Sequence, residues 1–239
     1  MPKYANSPLT QAICEFRFEP GPEWDGTISG LIYSRLAEQF PNKRPAQRVL
    51  SEANGFSITA GVVDAVQFAS PNDEAMIQVS PNTISLTHNA PYPGWDNFLP
   101  MINRVLGTYR AVASPAGVMR IGLRYINRIA FDAGSVKLSK WLRYYPQLPQ
   151  EDLGMGGFIV VTQHWYSERD LLVAQLGTAN PVEDNRQSCV LDLDYSLAIP
   201  KAIAFPDVDT WLIQAHTTIE DFFESCLLPN LRERFMPLE

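Results

Sequence analysis

The segment 118–131 constrains the fold more than any other part of the chain, because it combines strand length, apolar content and three arginines. Read as a β-strand with a period of two, one face carries Met119, Ile121, Leu123, Tyr125, Asn127, Ile129 and Phe131. The other face carries Arg120, Gly122, Arg124, Ile126 and Arg128. A guanidinium group keeps its charge, so each arginine must meet a carboxylate, a phosphate or water. The pattern predicts a central strand with a charged face that needs partners.

Composition places the chain among globular proteins with a substantial core. The 239 residues are 46% hydrophobic and 19% charged, and the formal net charge is -7. This acidic balance argues against binding to nucleic acid or to an anionic membrane. The sequence has no apolar run near the roughly 20 residues that a membrane helix needs, and its start has no signal-peptide pattern. We therefore expect a cytoplasmic protein.

The cysteines and histidines show no metal-ligand or disulfide spacing. Each type occurs three times, widely scattered: Cys14, Cys189, Cys226, His88, His164 and His216. Cys14 alternates with Phe16 and Phe18, which indicates a buried apolar residue. We therefore expect no cofactor, no metal site and no catalytic residue that the sequence identifies.

Hydrophobic periodicity predicts the same order of elements in both halves: a strand, a helix, three or four further strands and a helix. The predicted helices are 24–40, 96–112, 138–144 and 207–235, and Pro229 should kink or divide the last one. The predicted strands are 12–18, 47–60, 65–70, 75–79, 84–88, 118–131, 158–166, 171–176 and 188–195. Residues 80–83 are typical of a hairpin turn.

This order predicts an α+β protein with two β-α-β(3–4)-α pseudo-repeats, 1–113 and 114–239. Residues 114–117 are too few for a free linker, so we predict one domain, 1–239. The repeats would form antiparallel sheets with helices packed on one face, as in TATA-box-protein-like or helix-grip-like folds. Such a likeness concerns the fold and assigns no function.

Two interpretations of the arginine face stay open. In the first, Arg120, Arg124 and Arg128 bind an anionic ligand, and Gly122 leaves room for it to approach. In the second, which we favour, the arginines pair with carboxylates on neighbouring strands. The candidates are Asp192 and Asp194, which share a face of their strand, and Glu15 beside Arg17. A hybrid, in which acids orient the arginines and a ligand takes the remaining donors, is also open.

Other candidate sites are weaker. Tyr92 and Trp95 in PYPGW could form an aromatic wall for a ligand, but a rigid loop whose Trp seals the core is favoured. Asp192 and Asp194 could hold a divalent metal or act as an acid–base pair, yet nothing nearby strengthens that interpretation. The loop 146–157 has a glycine run without the Lys-Ser/Thr ending of a phosphate-binding P-loop, which favours a mobile lid or a contact loop.

Several motifs together resemble a known family. They are NSPL (6–9) before AICEFRFEP (12–20), GLIY (30–33) in a helix ending QFP (39–41), IQVSPNTISL (77–86), APYPGWDNF (90–98) and RIGLRYINRI (120–129). In this combination the chain resembles, over essentially its whole length, a sporadically distributed conserved prokaryotic family that carries PYxGW and RIGLRYIN motifs. The resemblance implies no catalytic residues. Its patchy distribution implies a defence or toxin–antitoxin setting.

Two functions follow as expectations. The first is a non-enzymatic binding or regulatory protein that recognises a protein partner or a small anionic ligand, and that is compatible with a homodimer. The second is an enzyme acting on a phosphorylated or nucleotide-like substrate in a sheet cleft lined by Arg120, Arg124, Asp192 and Asp194. Binding of DNA through the sheet conflicts with the net charge of -7.

Overall fold

The computed structural model describes residues 4–54, 57–131, 136–147, 157–180 and 187–238, with the backbone alone for 48–54 and 57–63. The chain is α+β, as predicted. The strands are β1 (Leu9–Phe18), β2 (Asn42–Asn54), β3 (Ser57–Ala69), β4 (Ala75–Ser80), β5 (Thr83–Asn89), β6 (Val118–Ala130), β7 (Ile159–Trp165), β8 (Asp170–Ala179) and β9 (Ser188–Leu197). The helices are α1 (Gly26–Leu36), α2 (Trp95–Ala113), α3 (Val208–Cys226) and α4 (Pro229–Phe235).

All nine strands form one antiparallel sheet in the order β2-β3-β4-β5-β1-β6-β9-β8-β7. Consecutive strands pair as hairpins within β2–β5 and within β7–β9. The predicted turn at 80–83 is confirmed, because Ser80 pairs with Thr83 and Asn82 takes a positive φ of 55°. This strand order places β6 inside the sheet, between β1 and β9.

Two predicted helices differ from the structure: the one at 24–40 is shorter than predicted, and the one at 138–144 does not form. Helix α1 begins at Gly26 because the Asp25 carboxylate accepts a hydrogen bond from the Thr27 backbone N–H at 2.7 Å, an N-cap that fixes the start. The helix predicted at 138–144 is wrong, since only a 3-10 turn, Leu138–Lys140, forms there. Most of the predicted contact loop 146–157 lies outside the described residues.

The last predicted helix is divided, and Pro229 is the reason. Helix α3 ends at Cys226, and α4 begins with Pro229 in its first turn. Proline has no backbone N–H, so it cannot continue a helix, but its fixed φ suits a helix start.

The chain forms two compact units. Unit 1 consists of residues 1–12, 123–198 and 210–239, and unit 2 of residues 13–122 and 199–209. Strands β1 and β6 and helix α3 each contribute residues to both units. The predicted single domain stays a prediction.

The core of unit 2 is aromatic. The ring of Phe18 on β1 stacks on Tyr109 of α2, with ring centroids 4.6 Å apart. Phe205 packs on the same Phe18 ring at 6.3 Å, and the Arg110 guanidinium lies 4.0 Å from the Phe205 centroid. These contacts fix α2 against β1, next to the first half of β6.

In unit 1, α3 buries an apolar stripe that includes Leu212, Ala215 and Ile219, and polar contacts add to this packing. The buried Asp170 carboxylate at the start of β8 accepts hydrogen bonds from Trp211 Nε1 at 2.8 Å and from Ser167 Oγ at 2.9 Å. Tyr125 of β6 lies against His216 of α3, with its hydroxyl 2.9 Å from Nδ1. The face of β6 that carries Tyr125 is therefore the one that α3 covers in this unit.

Candidate functional site: the arginine face of β6

The two faces of β6 differ in burial as the period-two pattern predicts. Ile121, Leu123 and Ile129 are fully buried, and Tyr125 and Asn127 are nearly so. On the other face Arg124 is exposed, and its neighbours Ile126 and Arg128 are half-buried.

In unit 1, Arg124 makes a two-pronged ion pair with Asp192 of β9. Its Nε lies 2.8 Å from Asp192 Oδ1, and its Nη2 donates a short hydrogen bond to Oδ2. The Arg124 side chain is 45% exposed, whereas that of Asp192 is only 11% exposed. A planar guanidinium matches a carboxylate in this fork arrangement, which makes it stronger than a single contact. The favoured interpretation from sequence, a cross-strand pair, describes this arginine.

The second acid of β9, Asp194, shares the face of Asp192 but has different neighbours. Register places Asp192 opposite Gln175 of β8, and Asp194 opposite Val173. Within the described residues, no cluster of three or more His, Cys, Asp or Glu side chains could hold a metal ion.

Arg128, also in unit 1, binds the backbone at the end of β8. Its Nη2 donates to the Asn180 carbonyl oxygen at 2.5 Å and lies 3.3 Å from Ser188 Oγ. Its Nε is buried and has no hydrogen-bond partner among the described residues. A buried N–H without a partner costs free energy, so this is the least satisfied donor of the arginine face.

In unit 2, Arg120 and Arg17 converge on one carboxylate. Glu15 Oε1 lies 2.8 Å from Arg17 Nε and 3.5 Å from Arg120 Nη1. A Cβ atom at Gly122 would lie 2.9 Å from Arg120 Nη1. The space that Gly122 leaves is therefore taken by the Arg120 guanidinium itself, which explains the glycine without a ligand.

Tyr92 and Trp95 pack onto the start of α2. Both rings contact Phe98, at centroid distances of 5.7 and 6.5 Å, and Phe98 is fully buried. Gly94 caps the helix with a φ of 83°, a conformation that favours glycine. These contacts are those of the rigid loop that the sequence favours, and both rings keep part of their surface exposed.

The three thiols are buried and are poor nucleophiles. Burial raises the pKa of Cys14 well above its ordinary value, and raises that of Cys189 and of Cys226 to about 12. Their role is packing, as the alternation around Cys14 predicts.

Sequence reasoning missed the exposed side of β7. Ile159, Val161 and Trp165 alternate along this strand and are 70%, 51% and 60% exposed. The signal is present as a period of two in IVVTQHW, but apolar residues in a strand ordinarily indicate a core. Their exposure follows from their place on the face opposite Thr162 and His164, whose side chains meet Tyr144 and Phe222.

A scan against protein-family models and a search of curated proteins found no match for this chain. Among the helices of the described residues, none is long and apolar enough to cross a membrane. The class that the structure defines is an α+β protein built on a nine-stranded antiparallel sheet.

Proposed function

We propose that the chain is a non-enzymatic binding or regulatory protein that recognises a protein partner through the open face of unit 1. We define the open face as Arg124, Val173, Gln175 and Asp194, which lie on the side of β6, β8 and β9 opposite the α3 contacts. The resemblance to a sporadic prokaryotic family supports a setting in defence or a toxin–antitoxin pair, and the cytoplasmic location is part of the same proposal.

One observation carries the proposal: the open face is a mixed surface of accessible side chains in fixed rows. Strand register sets Gln175 beside Asp192, which holds Arg124, and sets Val173 beside Asp194. Gln175 and Arg124 are exposed, while Val173 is half-buried. A mixture of apolar, amide and charged side chains is ordinary for a protein–protein interface, and side chains whose backbone is already fixed by strand register cost less ordering on binding.

The ion pairing of the arginines favours recognition of a protein partner over catalysis on a phosphorylated substrate. Asp192 takes only two of the five guanidinium N–H groups of Arg124, and a phosphate that competed for those two would have to displace Asp192, leaving a carboxylate with an 11% exposed side chain without its cation. That loss offsets the gain from the new contact. In unit 2, a single oxygen of Glu15 lies near both Arg17 and Arg120, so these arginines also have a carboxylate neighbour, without the fork geometry of Arg124.

We also propose the finer features of the fold, namely the two pseudo-repeats and the helices on one face. The observed order β1-α1-β2-β3-β4-β5-α2 followed by β6, β7, β8, β9 and α3 supports the repeats, with the 3-10 turn Leu138–Lys140 in the second half at the place of α1. The α3 contacts with Tyr125 and Asp170 support one covered face within unit 1.

The test is co-purification with the products of adjacent genes, using a tagged chain and two lysine variants. Val173→Lys changes the open face next to Asp194, whose charge should tolerate a lysine. Ile213→Lys is the matched control, because Ile213 is an exposed apolar residue on α3. We expect the wild type and Ile213→Lys to retain a stoichiometric partner and Val173→Lys to lose it. Equal retention by all three would refute the open face as the binding surface.

A second function, binding or turnover of a phosphorylated or nucleotide-like substrate, has one observation in its favour: the buried, unpartnered Nε of Arg128. A thermal-shift screen against inorganic phosphate, nucleotides and divalent metals tests it. A ligand present at a hundred times its Kd should raise the melting temperature by about 5 °C or more. The rise should vanish in Arg128→Gln if the site is real, and absence of any rise with the wild type would refute this second function.

A further inference from the structure

We propose that β7 pairs edge to edge with β7 of a second copy of this chain, forming an antiparallel dimer. This interaction goes beyond the open face, and it uses different groups: the backbone of β7 and its alternating side chains Ile159, Val161, Gln163 and Trp165. We call these four residues the β7 edge.

The backbone of the β7 edge points away from β8. The Thr178 N–H donates to the Phe158 carbonyl at 3.0 Å, and the Tyr166 N–H donates to the Asp170 carbonyl at 3.0 Å. Hydrogen-bonded pairs recur every second residue in an antiparallel ladder, so the even-numbered residues of β7 bond to β8. The N–H and C=O groups of Ile159, Val161, Gln163 and Trp165 therefore face outward, and no described strand lies beyond β7 in the sheet.

Side-chain contacts hold β7 in place within unit 1. On its covered face the Tyr144 hydroxyl lies 3.0 Å from Thr162 Oγ1 and donates to the Ala174 carbonyl at 2.9 Å. His164 packs on Phe222 of α3 at a centroid distance of 5.0 Å. These contacts hold β7 in its strand conformation against β8 and α3. Pairing with a partner strand would therefore cost little conformational entropy in β7.

Nothing in the sequence of β7 opposes pairing. Exposed edge strands are ordinarily guarded by charges or proline. The strand at the other end of the sheet order, β2, has such guards in Lys43, Arg44 and Pro45, all of them exposed. The seven residues of β7, IVVTQHW, include no Asp, Glu, Lys, Arg or Pro.

A second copy is the occupant because β7 is complementary to itself. With a two-fold axis at Thr162, Ile159 faces Trp165 of the other copy and Val161 faces Gln163. Each such hydrogen-bonded pair exchanges two backbone bonds, so the four pairs make about eight. Apolar side chains meet apolar or amide side chains, and no like charges meet. Symmetric pairing of one surface with itself is the commonest mode of protein dimerisation.

The experiment is sedimentation equilibrium of the full chain over about 1–200 μM, a range suited to a modest interface. Val161→Pro removes an outward N–H and leaves the β8 ladder intact, so it should fold and block pairing. Trp165→Lys places a charge on the edge, and Ile213→Lys is its matched control. We expect a dimer of twice 26.8 kDa for the wild type and Ile213→Lys, and a monomer for the two edge variants.

A wild type that stays monomeric over the whole range would overturn the proposal, as would edge variants that dimerise like the wild type. Amide hydrogen exchange gives a readout that needs no substitution. The amides of Val161 and Gln163 should exchange at least tenfold more slowly at high than at low protein concentration. Unchanged exchange would contradict pairing at this edge. Retention of a protein partner by Val161→Pro separates this inference from the proposed function.

Discussion

The ion pair between Arg124 and Asp192 gives the sharpest test of how the arginine face works. Replacing Arg124 by glutamine removes the cation and leaves a carboxylate that is 89% screened from solvent, since its side chain is 11% exposed. Exposed ion pairs contribute about 0–1 kcal/mol, whereas breaking a buried pair costs about 3–5 kcal/mol. This pair lies between those cases, because Arg124 is 45% exposed. We expect Arg124→Gln to lower the free energy of unfolding by about 2 kcal/mol.

The two partners should not be equivalent. Asp192→Asn leaves a guanidinium that water can reach, so its cost should be smaller, about 1 kcal/mol. The double variant should cost less than the sum of the two single variants, with a coupling energy of about 1 kcal/mol. Arg104→Gln is the control, because Arg104 lies 3.9 Å from an 89% exposed Glu38 and should cost less than about 0.5 kcal/mol.

Urea denaturation followed by tryptophan fluorescence and by circular dichroism measures the wild type and all four variants. The expected loss for Arg124→Gln corresponds to a fall in melting temperature of about 4–8 °C. If Arg124→Gln were as stable as the wild type or more stable, the pair would not support the sheet. Arg124 would then reduce the stability of the fold, as residues retained for function often do, and this result would support the anion-binding interpretation.

Three further predictions concern buried groups. Asp170→Ala should cost about 2–4 kcal/mol in urea denaturation, because it orphans the buried indole N–H of Trp211; a cost below 1 kcal/mol would refute that role. Tyr125→Phe should lower the free energy of unfolding by about 1 kcal/mol and shift the ring resonances of His216 in NMR spectra. Unchanged His216 resonances in the variant would show that the hydroxyl does not contact this ring. The three thiols should resist Ellman's reagent until the protein unfolds. Burial raises the pKa of the thiols in the folded state, so between about pH 8.5 and about pH 12 the unfolded chain loses their protons and the folded chain keeps them. The thiols therefore contribute fully to the free energy of unfolding below about pH 8.5, and this contribution is lost as the pH rises toward about 12. Stability should therefore fall above pH 9, less steeply in Cys189→Ala.

The sequence predicts the elements well where one periodicity dominates. The alternation in β6 and the helical spacing in α2 are long and regular, so local pattern and final burial agree. The helix predicted at 138–144 is wrong because Leu142 forms an antiparallel bridge with Leu227, whose flanking backbone hydrogen bonds take groups that a helix would need.

The candidate site was predictable only in its chemistry. The residue types show that the arginines need acids, but the assignment of Asp192 to Arg124 depends on β9 lying beside β6, 68 residues away in sequence. The role of Gly122 depends on the rotamer of Arg120, which no pattern encodes. The exposure of Ile159, Val161 and Trp165 depends on which face of β7 the side chains of Tyr144 and Phe222 cover, which local periodicity does not fix.

Site-specific photo-crosslinking tests the central claim, recognition of a protein by the open face, most directly. A benzophenone amino acid at Gln175 samples the open face, and one at Gln214 samples an equally exposed glutamine on α3. With the products of adjacent genes present, the account predicts a covalent adduct from position 175, heavier than the 26.8 kDa chain by the mass of one partner, and none from position 214. No adduct at 175, or equal adducts at both positions, would contradict it.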